Sequence, residues 1–381
     1  MRIAYFNANF RVGQDGVSRV IYKMIDGALA RQHDVLGITS TLPEPQDQVV
    51  PMLKVPSVIL PLQKNYRIAI PGYQYFEKEL QKFQPDILHI NSPCTLGFGA
   101  MKYAHRHDVP VVATYHTHFP TYPRYYHLTK FEKLTWKISR SLYNALDRTF
   151  VPTRPILREL RDNAIQRLEY LPNGVDVNLF GPHRRSSAWR DKFNAGEKPI
   201  ILFVSRLVWE KDLRVLAGMH NLLRSRRNDF VMVVVGDGHA RAELEQMMPG
   251  AHFLGYQSGT TLAESFASSD IFVFPSTTET FGLVTLEAMA SRLAPVAARV
   301  GGAEELLEDG RSGLFAEPFS TVDLAAKVER LLDYPRFRQT ISGQAYARAH
   351  DYRWEKILGR LFSSYGEVIE EHARNRYHNA A

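Results

Sequence analysis

Glu279 and Glu287 bound the run Glu-Thr-Phe-Gly-Leu-Val-Thr-Leu-Glu, with seven residues between them. An apolar segment, Asp270 to Phe274, and then Pro275-Ser276 come before it, so the pattern reads strand, loop, helix. A helix N-terminus presents unpaired N–H groups and the positive end of a dipole, which suit a phosphate ester. Carboxylates beside it accept hydrogen bonds from sugar hydroxyls. A ligand carrying both phosphate and polyol, a nucleotide sugar, satisfies the whole set, with Phe281, Gly282 and Leu283 between the two acids. A plain amphipathic helix start, whose acids only complement the dipole, would show the same pair. The neighbouring segments therefore carry the assignment.

Four of them follow strand-like runs. Val204-Ser205-Arg206-Leu207-Val208-Trp209-Glu210-Lys211 places two cations, Arg206 and Lys211, beyond a strand end. Such a pair neutralises a diphosphate and stabilises a leaving nucleotide without a metal; the plainer alternative is a solvated charged loop. Gly16, in Gly13-Gln14-Asp15-Gly16, sits where a first helix begins and either admits backbone N–H groups to a phosphate or makes an ordinary turn. Gly236-Asp237-Gly238 allows close backbone approach but is short and nonspecific. Thr114-Tyr115-His116-Thr117-His118 offers two histidines at i and i+2, yet no third Cys or His ligand lies nearby. No metal is expected, and His116 reads as a hydrogen-bond donor to substrate.

These segments need a scaffold. A chain of 381 residues with 45% hydrophobic and 23% charged content should form about two globular domains. Strand-like runs Ile3–Asn7, Val35–Thr39, Ile87–Asn91, Val111–Tyr115 and Thr149–Val151 alternate with helical patterns at Val17–Arg31, Tyr73–Phe83 and Leu96–His107. The turn Leu171-Pro172-Asn173-Gly174-Val175-Asp176 and a polar stretch, His183–Lys198, read as a boundary and linker. The alternation then restarts at Ile200–Val204, Val231–Val235, His252–Leu254, Ile271–Phe274 and Ala294–Ala297. The expectation is two doubly wound α/β domains, 1–180 and 181–354, with ligands in a cleft outside their strand ends. A final amphipathic helix carries Ile357, Leu361, Tyr365 and Ile369 as one stripe.

Taken in order, the segments resemble the retaining family-4 glycosyltransferases of GT-B fold over essentially the whole chain. Glu279…Glu287 looks like the family's paired-glutamate motif and Ser205-Arg206…Glu210-Lys211 its diphosphate loop. His116 resembles the cleft histidine and Gly16 the glycine loop, although Asp15-Gly16 replaces a full Gly-Gly pair. Pro172–Asp176 is similar to the end-of-domain turn, Val300-Gly301-Gly302-Ala303-Glu304-Glu305 to a second Gly-Gly segment, and Arg353-Trp354-Glu355 to the return of the last helix to the first domain. Phe315-Ala316-Glu317-Pro318-Phe319 lacks the family's usual acid-glycine ending. The resemblance implies that Glu279 binds donor-sugar hydroxyls, Glu287 the ribose, Arg206 and Lys211 the diphosphate, and that His116 lies near the transferred sugar. It also implies same-face substitution with no metal or other cofactor.

For the acceptor, the segment His116–Tyr126, with Tyr122 and Tyr126, most resembles enzymes that glycosylate lipids such as diacylglycerol or phosphatidylinositol, and Tyr66–Pro71 resembles a loop of the same subgroup. The charge points the same way. Residues 1–180 carry 22 Lys/Arg against 15 Asp/Glu, the rest 25 against 25, so the net +7 lies wholly in the first half. A helical wheel over Lys130–Tyr143 gives an apolar face of Phe131, Leu134, Ile138 and Leu142, a cationic stripe of Lys130, Lys133, Lys137 and Arg140, and Trp136 and Tyr143 beyond it. That arrangement suits an anionic membrane surface; an ordinary surface helix would share it. The single cysteine, Cys94, reads as a small core residue and suits a reducing compartment. With no signal-peptide pattern, the expectation is a cytoplasmic enzyme, peripheral on the inner face of the cell membrane. Transfer to a soluble or polyprenyl-linked glycan and a sugar-nucleotide epimerase remain as alternatives. Nucleic-acid motifs are lacking and no nucleic-acid partner is expected. UDP and GDP donors are not distinguished.

Overall fold

A computed structural model describes the chain except residues 12–15, 61–62, 71, 92–93, 119, 121–129, 131 and 381, with backbone alone at 60, 63–66 and 376–380. It divides into two compact units, Met1–Pro172 with Glu355–Ala381, and Asn173–Trp354. The division falls at Pro172/Asn173 rather than after residue 180. Val175 and Phe180 explain the difference: both are buried in the second core, where Phe180 packs edge-on to Phe266 at 5.7 Å.

The first unit contains β1 Arg2–Asn9, β2 Asp34–Thr41, β3 Met52–Lys54, β4 Ser57–Leu60, β5 Gln63–Ala69, β6 Ile87–Ile90, β7 Val111–Thr114, β8 Arg148–Val151 and β9 Leu168–Tyr170. Seven of these form one parallel sheet in the order β3-β2-β1-β6-β7-β8-β9. Runs such as Ile87-Leu88-His89-Ile90 are buried throughout, as a sheet covered on both faces requires. Strand order reverses between β1 and β6, so the loops leaving these two strands diverge there. The last helix, Trp354–Ala380, buries Ile357, Leu361 and Tyr365, with Val368 enclosed in place of half-buried Ile369.

Two expectations in this unit are corrected. Tyr66–Ala69 is no loop: it lies in β5, paired antiparallel with β4 through Val58↔Ile68 and Ser57↔Ala69. The β-branched residues Val58, Ile59 and Ile68 favour that hairpin. Tyr73–Phe83 is not one helix, but a 3₁₀ turn at Tyr73–Tyr75 followed by the helix Glu77–Phe83.

The second unit contains β10 Ile200–Val204, β11 Val231–Val235, β12 His252–Phe253, β13 Ile271–Phe274, β14 Ala294–Ala298 and β15 Leu314–Ala316. They form a parallel sheet in the order β12-β11-β10-β13-β14-β15, reversing between β10 and β13. The polar stretch His183–Lys198 is part of this unit rather than a linker. Ser186 caps the helix Ser187–Asp191 by accepting from Trp189 N, and Trp189 and Phe193 enter the core. Arg185 and Arg190 both pair with Asp270, at 2.9 and 3.0 Å, fastening the segment to the start of β13. Its polarity reads as a linker, but two of its arginines are held by one carboxylate of the unit and its aromatic residues are buried.

Candidate functional site

At the switch point of the second sheet, the loops after β10 and β13 carry the residues picked out by their chemistry. The first loop turns through the 3₁₀ segment Trp209–Lys211 into the helix Leu213–Arg224; the second enters the helix Leu283–Ala290. Lys211 forms an ion pair with Glu279 and also donates to Thr278 Oγ1 at 3.3 Å. The lysine and glutamate side chains are 11% and 25% exposed, so little solvent screens the pair. Asp212, in the left-handed region at φ 55°, accepts from Thr277 N at 2.8 Å and from Thr277 Oγ1 at 2.9 Å. Thr278 Oγ1 donates to the Glu210 carbonyl at 3.1 Å. Arg206 stands exposed on the same loop. Glu279 is half-buried, whereas Glu287 is 3% exposed on the inward side of its helix, so the two acids occupy different environments.

Glycines hold both loops at close range. A Cβ at Gly236 would lie 1.8 Å from the Ser205 carbonyl oxygen, and one at Gly238 2.3 Å from that of Leu207. The approach allowed by Gly236-Asp237-Gly238 is therefore to the chain's own Ser205–Leu207 backbone, with Leu207 N donating to the Asp237 carbonyl at 2.8 Å. Asp237 itself is exposed, pairs with Arg241 at 3.3 Å and accepts from Gly238 N at 2.8 Å. In the same way a Cβ at Gly301 would lie 2.5 Å from the Glu279 carbonyl oxygen, and one at Gly302 2.1 Å from that of Phe281. Gly302 N donates to Glu279 O at 3.2 Å. Gly282, at φ 89°, starts the helix Leu283–Ala290, with Leu283 half-buried and Phe281 enclosed beside Tyr352. The structure thus brings Lys211 and Glu279 together and adds Asp212, Thr277 and Thr278. An Asp ahead of a helix looks like a cap; only the tertiary pairing shows that Asp212 serves the neighbouring loop instead.

In the first unit, Gly16 is the first residue of the helix Gly16–Leu29 and is exposed. His116 follows β7, and its Nε2 faces Asn91 Oδ1 at 3.0 Å. Burial pushes its pKa down to about 3, so the imidazole is neutral at physiological pH. It can share a hydrogen bond with substrate but supplies no cationic charge. His118 does not join a metal set; its Nδ1 faces the Tyr115 hydroxyl at 2.8 Å and its Nε2 pairs with Glu159 at 3.2 Å. Among the described residues, no group of three or more His, Cys, Asp or Glu is placed to hold a metal ion.

The helix Glu132–Tyr143 corrects the wheel. Trp136 is buried, edge-on to His118 at 5.9 Å, and Leu142 and Tyr143 are buried with it. Leu134 and Ile138 are instead 50% and 41% exposed, alongside exposed Lys133 and Lys137, while Lys130, also exposed, precedes the helix. Arg140 is exposed but reaches aside, its Nε donating to the Asn163 carbonyl at 3.0 Å. Tyr122, Tyr126 and Phe131 lie outside the described residues. Among the described residues, no helix is long and apolar enough to cross a membrane.

Comparison with known proteins gives the family and the fold. Residues 14–179 match Glycosyltransferase Family 4 and residues 186–348 match Glycosyl transferases group 1. A GDP-mannose-dependent alpha-mannosyltransferase of Corynebacterium glutamicum is 32% identical over 376 residues, spanning 97% of this chain and 89% of that protein. The sulfoquinovosyl transferase of Arabidopsis thaliana is 36% identical over 74% of this chain and 57% of its own length. An alpha-monoglucosyldiacylglycerol synthase of Acholeplasma laidlawii is 23% identical over 97% of this chain and 98% of its own. Sucrose-phosphate synthase from Thermosynechococcus elongatus superposes with a TM-score of 0.80 at 18% identity, covering 97% and 99% of the two chains, and shares the GT-B fold. With paired loops at a switch point, two Rossmann-like sheets and a full-length relative at 32% identity, this chain belongs to the family-4 glycosyltransferases and transfers sugar from a nucleotide-sugar donor.

Proposed function

We propose that the enzyme moves a hexose, with retention, from a nucleoside-diphosphate sugar to a membrane glycerolipid, diacylglycerol being the acceptor to test first. The exposed row on the helix Glu132–Tyr143 carries this reading. Leu134 and Ile138 stand in water beside Lys133 and Lys137, with exposed Lys130 ahead of the helix. An apolar pair flanked by cations suits the interface of an anionic bilayer, where each basic residue contributes on the order of 1 kcal/mol. The charge excess of the first half and the likeness to the glucosyldiacylglycerol synthase support the same acceptor class. The likeness to the mannosyltransferases makes GDP-mannose the first donor to try, with UDP-glucose beside it.

In this reading Arg206 and Lys211 hold the diphosphate, Glu279 the sugar hydroxyls, Glu287 the ribose and Gly16 a phosphate, while His116 hydrogen-bonds the transferred sugar. The bond from the anomeric carbon to the β-phosphate oxygen breaks as the acceptor oxygen bonds to the same face. The acceptor proton passes to the departing β-phosphate, whose charge the two cations stabilise.

Flotation with phosphatidylcholine/phosphatidylglycerol vesicles tests the acceptor side. Binding at low ionic strength should weaken with salt and drop at least several-fold in Leu134→Ser/Ile138→Ser. Product analysis with labelled donor and diacylglycerol completes the test. No vesicle binding at low salt, with transfer only to a soluble or polyprenyl-linked glycan, would establish the alternative acceptor class. Isomerised donor after incubation without any acceptor would indicate an epimerase.

A further inference from the structure

The face of the first sheet beneath the helix Trp354–Ala380 is lined by Ile3, Ile87, Val112 and Phe150, all buried. Across it runs a polar line that packing alone does not require. Tyr5 of β1, His89 of β6, Thr114 of β7 and Tyr365 of the helix are between 0% and 4% exposed. His89 Nδ1 pairs with the Tyr365 hydroxyl, His89 Nε2 lies 2.8 Å from Thr114 Oγ1, and the Tyr365 hydroxyl donates to that of Tyr5 at 3.4 Å. One proton order satisfies every contact. Thr114 O–H donates to Nε2, Nδ1–H donates to the Tyr365 oxygen, and Tyr365 O–H donates to Tyr5. Burial, with His116 nearby as a lesser cause, holds His89 well below its ordinary pKa, so the line carries no charge.

Burying hydroxyls and an imidazole costs desolvation that apolar residues would avoid, and a half-satisfied network costs more still. Where this line ends gives it a use. Thr114 closes β7, and its carbonyl accepts from His116 N at 3.1 Å. Asn91 follows His89 by two residues, on the same side of the extended chain, and its Oδ1 is the partner of His116 Nε2 at 3.0 Å. The backbone of the His116 turn, through Thr114, and its imidazole, through Asn91, are thus both referenced to His89.

We propose that Tyr365 is a positioning residue for sugar transfer: through His89 and Thr114, the C-terminal helix sets the placement of the His116 turn. The inference rests on the reading of His116 given above. In the full-length protein, Tyr365→Phe should lower kcat about tenfold, the scale of a displacement well under the 1 Å that can cost about a hundredfold, and leave donor KM within about twofold. Thr114→Val should match it, and Thr114→Ser, which keeps the hydroxyl, should restore turnover. Imidazole ¹⁵N spectra should show the His116 signals displaced in Tyr365→Phe and Thr114→Val but not in Thr114→Ser. A lower melting temperature with unaltered kcat and unaltered His116 signals would reduce Tyr365 to packing and overturn the inference. Full turnover in His116→Ala would instead sink the role given to His116, and the imidazole spectra would still decide whether Tyr365 sets that turn.

Discussion

Alanine at Gly302 would place a methyl carbon 2.1 Å from the Phe281 carbonyl oxygen and 2.5 Å from its Cα, where real contacts do not fall below 3.0 Å. The two backbones must then part by about 1 Å. Phe281 cannot absorb the shift outward, since it is buried against Tyr352, so the displacement passes into the Glu279–Phe281 loop. Overpacking costs about 1–3 kcal/mol, and the weakened Gly302 N–H to Glu279 O bond adds about 1. For a unit of this size that lowers the melting temperature by roughly 5–15 °C. If Glu279 holds the donor sugar as proposed, turnover should fall about a hundredfold, the effect of a 1 Å error at a group that orients substrate. Thermal unfolding and steady-state transfer rates measure both. Gly343→Ala is the control: a Cβ there meets nothing within 4 Å, inside the helix Pro335–Ala349. It should stabilise by about 0.5–1 kcal/mol and leave kcat alone. Wild-type turnover and melting in Gly302→Ala would refute the argument that this backbone contact holds Glu279 in place.

Glu279→Gln removes the charge that Lys211 pairs with while keeping the shape. Transfer should fall at least about a hundredfold, the scale of losing one well-placed polar contact to the reacting group, while nucleoside diphosphate binding, read by calorimetry, stays equal or tightens a few-fold as the lysine loses its internal partner. Unchanged turnover would remove Glu279 from the site. Acid should destabilise the first unit: His116 titrates near 3 when folded against an ordinary 6.5, and His89 is shifted in the same direction. The unfolded chain binds more protons between those values, so stability is full above about 6.5 and declines as pH falls toward 3. Melting temperatures from pH 7 to 4.5 should therefore drop, and His116→Gln should flatten part of the slope. A rise on acidification would contradict the enclosure of these rings.

The groups of the proposed donor site stand out in the sequence because they lie at strand ends. Arg206, Lys211 and Glu279 each follow an apolar run, and the alternation of runs and helical patterns anticipates where loops emerge. Trp136 and Tyr143 looked like interface aromatics on a wheel, but a wheel gives angles about one axis and not which side meets the sheet; Trp136 turned inward and Leu134 and Ile138 outward. His183–Lys198 looked like a linker because Asp270, the counter-charge for Arg185 and Arg190, lies far along the chain. Gly236, Gly238, Gly301 and Gly302 were recognisable as glycines with a purpose, yet whether a ligand or the chain's own backbone occupied the space beside them was not.

Residue order alone determined the α/β class, the two-unit organisation and the types of group available to bind phosphate and polyol, since periodicity and local turn chemistry act over a few residues. The tertiary structure decided the partnerships. Lys211 and Glu279 are 68 residues apart, and His89 and Tyr365 are 276 apart. Such pairs meet only because β10 takes β13 as its neighbour, and because the last helix settles across β1, β6 and β8. Strand adjacency of that kind follows from how whole elements share buried surface, a property no short window of sequence contains.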